Sequence, residues 1–218
     1  MGAVAISRAA QVEEQVQALE SGIEGDDAAA GPVRLTTVPI LINRLIVPAL
    51  PAFCAAYPLI KLELIAEPRN VDLTRREADI ALRLSQPERG GTALTRRIGR
   101  LDYAVYGRRG SVSDLPWINY EESLRHPPQA RWVAAATKGN PTALLVNDAE
   151  GILHGIQAGL GKSLLPCRIA GLEPLLERLG PGVALSRDVW LLTHRDLRRQ
   201  HRIDAVVSWL QSLFAQPG

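Results

Sequence analysis

Between positions 33 and 84 the hydrophobic period switches repeatedly. Residues 33–37 (VRLTT) make a short strand pattern. The apolar run 40–57, ILINRLIVPALPAFCAAY, places Leu41, Leu45, Ala49, Ala52 and Ala56 at helical spacing. KLELIA at 61–66 alternates as a strand does. Asn70 can cap a short helix over 71–77, and DIALRL at 79–84 puts Ile80, Leu82 and Leu84 on one face of a third strand. Strands separated by helical crossovers imply a parallel sheet with helices on its faces, so this β-α-β-α-β order commits the chain to an α/β architecture. Pro48 and Pro51 lack amide donors and crowd the preceding turn, which predicts a kinked or irregular first helix.

The remaining segments extend the pattern. LDYAVY at 101–106 is a fourth strand. Residues 111–129 are rich in turn formers, and residues 132–136 and 144–146 read as strands. Asn147 or Asp148 caps a helix running to about Ala158. Residues 163–165 and DVWLLTH at 188–194 are further strands. The chain closes on an amphipathic helix over 202–214, with Ile203, Val206, Val207, Leu210 and Leu213 as its buried stripe. At the other end, Val12, Val16, Leu19 and Ile23 form a narrow stripe on a helix over 5–23, as at a helix–helix seam. EGDDAAAG at 24–31 then reads as a flexible connection.

Composition narrows the chemistry. The 218 residues are 46% hydrophobic and 22% charged, as in ordinary soluble proteins, and aromatics at 5% leave an aliphatic core. A net charge of +2 does not by itself imply nucleic-acid binding. The four Arg pairs, 75–76, 96–97, 108–109 and 198–199, are dispersed and read as solvated element ends. Cys54 and Cys167 form no C-x-x-C and read as small core residues. The four histidines are scattered without ligand spacing, so no metal and no cofactor is expected. Neither a secretory signal nor a run of about 20 apolar residues is present, and the expectation is a cytoplasmic protein without a membrane partner.

One stretch superficially suggests catalysis. GIQAGLGKSLLP (155–166) ends its glycine run in Gly161-Lys162-Ser163, like the nucleotide-binding G-x-x-x-x-G-K-[ST]. The spacer would need glycine at position 156, where Ile156 stands. The glycines also follow a helix and precede a strand, the reverse of a phosphate loop. Gly159 instead suits a left-handed helix stop, and Gly161 a tight turn into the next strand. No G-x-S-x-G elbow appears, so no catalytic residue is assigned.

Three stretches together carry a family resemblance: VPALPAFCAAYPLIKLEL with its Tyr57-Pro58 junction, DLTRREADIALRL at 72–84, and the A-G-x-G-x-x-x-[LI]-P pattern within GIQAGLGKSLLP. VWLLTHRDLRRQHRIDAVVSWL at the end adds to them. Over residues 31–215 the chain resembles the effector-binding (substrate-binding) domain of LysR-type transcriptional regulators. The resemblance implies a two-lobed, periplasmic-binding-protein-like (type 2) α/β fold with two crossover strands, placed at 101–106 and 188–194. Residues 1–30 would be the end of a linker helix and its connection. Residues 31–102 with 190–218 would form one lobe, and 103–189 the other. Such domains bind a small-molecule effector between the lobes and work as homodimers or homotetramers. They reach DNA through an N-terminal winged helix-turn-helix, which this sequence does not contain. A stand-alone binding protein of the same fold, and an enzyme built on it, are the alternatives.

Candidate effector residues follow from strand–helix junctions. In the first lobe they are Thr36, Thr37, Val38 and Pro39 after the first strand, and Ser85 and Gln86 after the third. In the second lobe they are Thr137, Asn147 and Asp148. The alternative role of these residues is capping and turn formation. A helix N-terminus favours an anion, but Pro39, Ile40 and Leu41 make this one apolar and remove a donor. The expected effector is accordingly a carboxylate or an aromatic compound. The family's habit of packing the first helix against a partner's second-lobe helix points to Leu41, Leu45, Ala52, Ile152 and Ile156 as interface residues.

Overall fold

The structure is a computed structural model that describes residues 29–67, 78–87, 93–111, 114–139, 142–197 and 200–215. The expected helices at 5–23 and 71–77, and most of the connection at 24–31, lie outside the described residues.

Strand β1 (Gly31–Thr37) is followed by helix α1 (Pro39–Ala56) and strand β2 (Ile60–Ala66), which pairs with β1 in parallel. Strand β3 (Ile80–Arg83) joins the other side of β1, also in parallel. Proline shapes α1 without breaking it. Residues Ile42–Ile46 form a π-helical turn in which the Val47 N–H reaches the Ile42 carbonyl, just before Pro48. A widened turn absorbs the crowding a proline imposes on the turn before it. Pro48 then sits at the second position of the helical segment Val47–Ala56, directly after the widened turn, and Pro51 follows inside it. Leu41, Ile46 and Phe53 bury one side of α1.

The sheet is mixed, not parallel throughout. Its order is β2-β1-β3-β9 (Leu185–His194)-β4 (Ala93–Arg108)-β7 (Ser163–Pro166), with β8 (Leu176–Arg178) also on β4. Strand β9 (Leu185–His194) inserts antiparallel between β3 and β4. Strand β4 (Ala93–Arg108) is far longer than its 101–106 core. It pairs with β9 up to Tyr103, then with β7 (Ser163–Pro166), and so runs through both halves of the molecule. On one side of this pair stand β1–β3 and α1. Helix α5 (His201–Ala215) packs on β4 and β1. On the other side, β5 (Ile118–Tyr120) pairs in parallel with β6 (Leu144–Val146), and a Trp117–Lys162 bridge ties them to β7. Helices α2 (Pro128–Ala136), α3 (Ala149–Gln157) and the short α4 (Cys167–Ala170) cover this half.

Residues 132–136, expected as a strand, are the end of α2. Pro128 opens that helix at its first position, and Ala130, Trp132 and the Ala134–Ala136 run continue it with one β-branched residue, Val133. Gly159 takes the left-handed conformation (φ 78°) that ends α3. Cys54 is exposed rather than a core residue, and Cys167 is half-buried. Each half has its own buried centre: Val33, Leu35, Ile80, Leu82 and Val206 in one, and Ile118, Ile152, Leu153, Ile156 and Leu165 in the other. Both join in a single hydrophobic cluster.

Candidate functional site

A cavity of about 380 Å³ opens between the two halves. The first half contributes Val38, Pro39 and Ile40 from the start of α1, Glu67 after β2, and Arg83, Leu84 and Ser85 at the end of β3. The second contributes Tyr120, residues 126–129 at the start of α2, and Asn147, Asp148 and Ala149 at the start of α3. Tyr103 and Arg187, on the two through-running strands, line it as well. Wall residues from both halves meet here because strands end and helices begin along the same edge, the usual location of ligands in α/β sheets.

The wall combines apolar side chains with polar and charged groups. Asp148 caps α3, its Oδ1 accepting the Gly151 N–H at 2.6 Å, which spends its charge at a helix N-terminus. Arg83 donates to the Leu82 carbonyl at 3.0 Å and lies at 3.5 Å from that of Thr36, bracing two strand ends. Burial lowers its pKa from the ordinary arginine value, and the Glu67 carboxylate opposes that shift. Arg187 donates from Nη1 to Gln129 Oε1 at 2.8 Å. Burial pushes the hydroxyls of Tyr103 and Tyr120 above the ordinary tyrosine pKa, so both remain neutral O–H groups.

The expected positions are distributed unevenly around this cavity. Val38, Pro39, Ser85, Asn147 and Asp148 stand on its wall. Thr36 and Thr37 are fully buried and outside the lining, their hydroxyls without a hydrogen-bond partner among the described residues. Gln86 is exposed and outside the lining. Thr137 is also outside, its hydroxyl donating to the Ala134 carbonyl at 2.7 Å at the end of α2. Sequence reasoning missed Arg83, Tyr103, Tyr120, Gln129 and Arg187. Of these only Arg83 carried a signal, as a cation ending the apolar run IALR.

Of the five expected interface residues, only Ala52 is exposed. Leu41, Leu45, Ile152 and Ile156 are at most 6% exposed and belong to the subunit's own core, because the apolar stripe of an amphipathic helix faces the sheet beneath it. The two helices meet within one subunit instead. Arg44 on α1 donates to Glu150 on α3 at 2.8 Å and to Glu173 at 3.0 Å. Gln157 donates to the other Glu173 oxygen at 2.9 Å.

The family model of the LysR substrate binding domain matches residues 26–215. The chain belongs to that family. This LysR domain is 27% identical over 210 residues to the Mau operon transcriptional activator of Paracoccus denitrificans, covering 94% of this chain and 73% of that protein. The regulatory domain of CrgA from Neisseria meningitidis superposes with a TM-score of 0.69 at 17% identity, covering 85% of this chain and 99% of that one. The effector domain of AmpR from Pseudomonas aeruginosa gives 0.67 at 18% identity, over 85% and 96%. The fold is thus the two-lobed, periplasmic-binding-protein-like one, and the LysR domain is an effector-sensing regulatory module of transcription.

Proposed function

We propose that the inter-lobe cavity is the effector site, and that a small carboxylate or aromatic compound held there shifts the relative arrangement of the lobes. The observation that carries this reading is the composition of the wall: segments from both lobes and from both through-running strands face one space. A ligand touching all of them binds one inter-lobe arrangement better than others, and that difference is what can move an equilibrium. The division into lobes at residues 31–102 with 190–218, and 103–189, belongs to the same reading. Regulation is then non-enzymatic: the ligand is sensed and not turned over.

The oligomer is the second half of the proposal. Helix α1 exposes Val47, Pro48, Pro51, Ala52, Ala55 and Ala56 on the side away from the sheet. This apolar face, not the buried stripe, is the surface for a second copy in a homodimer or homotetramer, with DNA contacted through a separate reading head in the cytoplasm. A thermal-shift screen of small carboxylates and aromatic metabolites tests the sensor. A ligand present at 100 times its Kd stabilises the folded state by about 2.7 kcal/mol, a readily visible shift. A flat response across a broad library contradicts the reading.

A further inference from the structure

The charges on the cavity wall are not evenly compensated. Glu67 is the charge partner of Arg83, and Asp148 is committed to the N-terminus of α3. Arg187 differs from both. Among the described residues, no carboxylate lies within 4 Å of it. Its partners are neutral, the Gln129 amide oxygen and the Tyr103 hydroxyl, and among the described residues its Nε is buried without an acceptor. A half-buried guanidinium without a carboxylate beside it carries a desolvation cost that a nearby group of opposite charge relieves.

The surroundings define what that acceptor belongs to. Tyr103 and Tyr120 stand with Arg187 on the wall, and each keeps a neutral hydroxyl able to donate. Val38, Pro39, Ile40, Leu84, Leu124 and Pro128 give the cavity an apolar stretch, with Ser85, Ser123, His126 and Asn147 as further polar members of the wall. A cavity of about 150 Å³ already takes benzene, so 380 Å³ takes a ring with a short acidic arm but not a dinucleotide. With Arg83 already braced and facing Glu67, Arg187 is the one of the two lining arginines left without a carboxylate among the described residues, which matches one negative charge rather than two.

We propose that Arg187 is the anion anchor of the cavity, and that the effector class is a compact monocarboxylate with an apolar, ring-sized body. The guanidinium takes the carboxylate, the tyrosine hydroxyls donate to its remaining lone pairs, and the apolar start of α1 covers the ring. Planar carboxylates suit guanidinium donors, which is why arginine serves better here than lysine. This assignment rests on the inter-lobe cavity being the effector site.

Calorimetric titration of the whole chain with a panel of aromatic and cyclic monocarboxylates (benzoate, phenylacetate, cinnamate, cyclohexanecarboxylate), each beside its neutral amide, tests the assignment. At least one acid should bind, with its amide weaker by roughly 10- to 100-fold. Arg187→Gln should lose about the same factor for the acid and little for the amide, with Arg187→Lys in between. The acid-to-amide comparison on the unaltered chain needs no variant to fold. Amides binding as well as acids, an unchanged Arg187→Gln affinity, or binders drawn only from neutral or cationic compounds would overturn the assignment while leaving the cavity as the effector site. Silence across the panel and a broad library alike would remove the effector site itself.

Discussion

A Cβ built on Gly161 would lie 2.5 Å from the Pro116 carbonyl oxygen and 3.1 Å from Ile118 Cγ1. Its neighbour Lys162 sets its half-buried ammonium 5.1 Å from the centre of the Trp117 ring, at the bridge that ties β5 to β7. The glycine is therefore held by backbone crowding and the lysine by a partly exposed cation–π contact worth about 0.5–1 kcal/mol. Gly161→Ala should destabilise the domain by about 2 kcal/mol or more, since the carbonyl it meets is part of the backbone. Lys162→Ala should cost less than about 1 kcal/mol. Urea unfolding of both variants checks this, and the reverse ranking would mean the lysine has a role the contact does not explain. The same pair shows how a short motif misleads. Gly-Lys-Ser has the composition of a phosphate loop, but its place between a helix end and a strand assigns glycine a steric duty.

At the scale of elements, α1 and α3 are joined across the lobes by Arg44, Glu150 and Glu173. The Arg44 side chain is 27% exposed, Glu150 11% and Glu173 17%. Replacing Arg44 by Met leaves two carboxylates facing each other in a half-buried site. We expect a loss of about 1–3 kcal/mol, less than for a fully buried pair because water still reaches the arginine. Adding Glu150→Gln and Glu173→Gln should recover part of it. Chemical denaturation of the single, double and triple variants measures the coupling, and a change below about 0.5 kcal/mol for Arg44→Met would show that the lobes are held by packing alone. Elements with a single strong period were legible before the structure: β1, β2, β3, α3 and α5. Residues 132–136 were not, because a short apolar run suits strand or helix equally, and the helix start that decides it lies upstream at Pro128. The buried stripes of α1 and α3 were also assigned to a partner subunit, since an apolar face reads the same whether a sheet or another chain covers it.

Across the whole molecule, the parallel order of β1–β3 was legible because its connections are local. The insertion of β9 between β3 and β4 was not, since nothing near residues 185–194 records which strands they will join. The same division separates the site residues. Val38, Pro39, Ser85, Asn147 and Asp148 are at strand–helix junctions, which sequence marks with turn and capping residues. Tyr103 and Arg187 are within strands, where the side facing the cavity is set by long-range pairing. On the proposed function, one ligand engages both lobes. Hydrogen exchange read by mass spectrometry, with and without a compound that raises the melting temperature, tests it most directly. The account predicts slowed exchange together at the starts of α1, α2 and α3 and around residues 83–85. Slowing confined to one lobe, or to the outer face of α1, would contradict it.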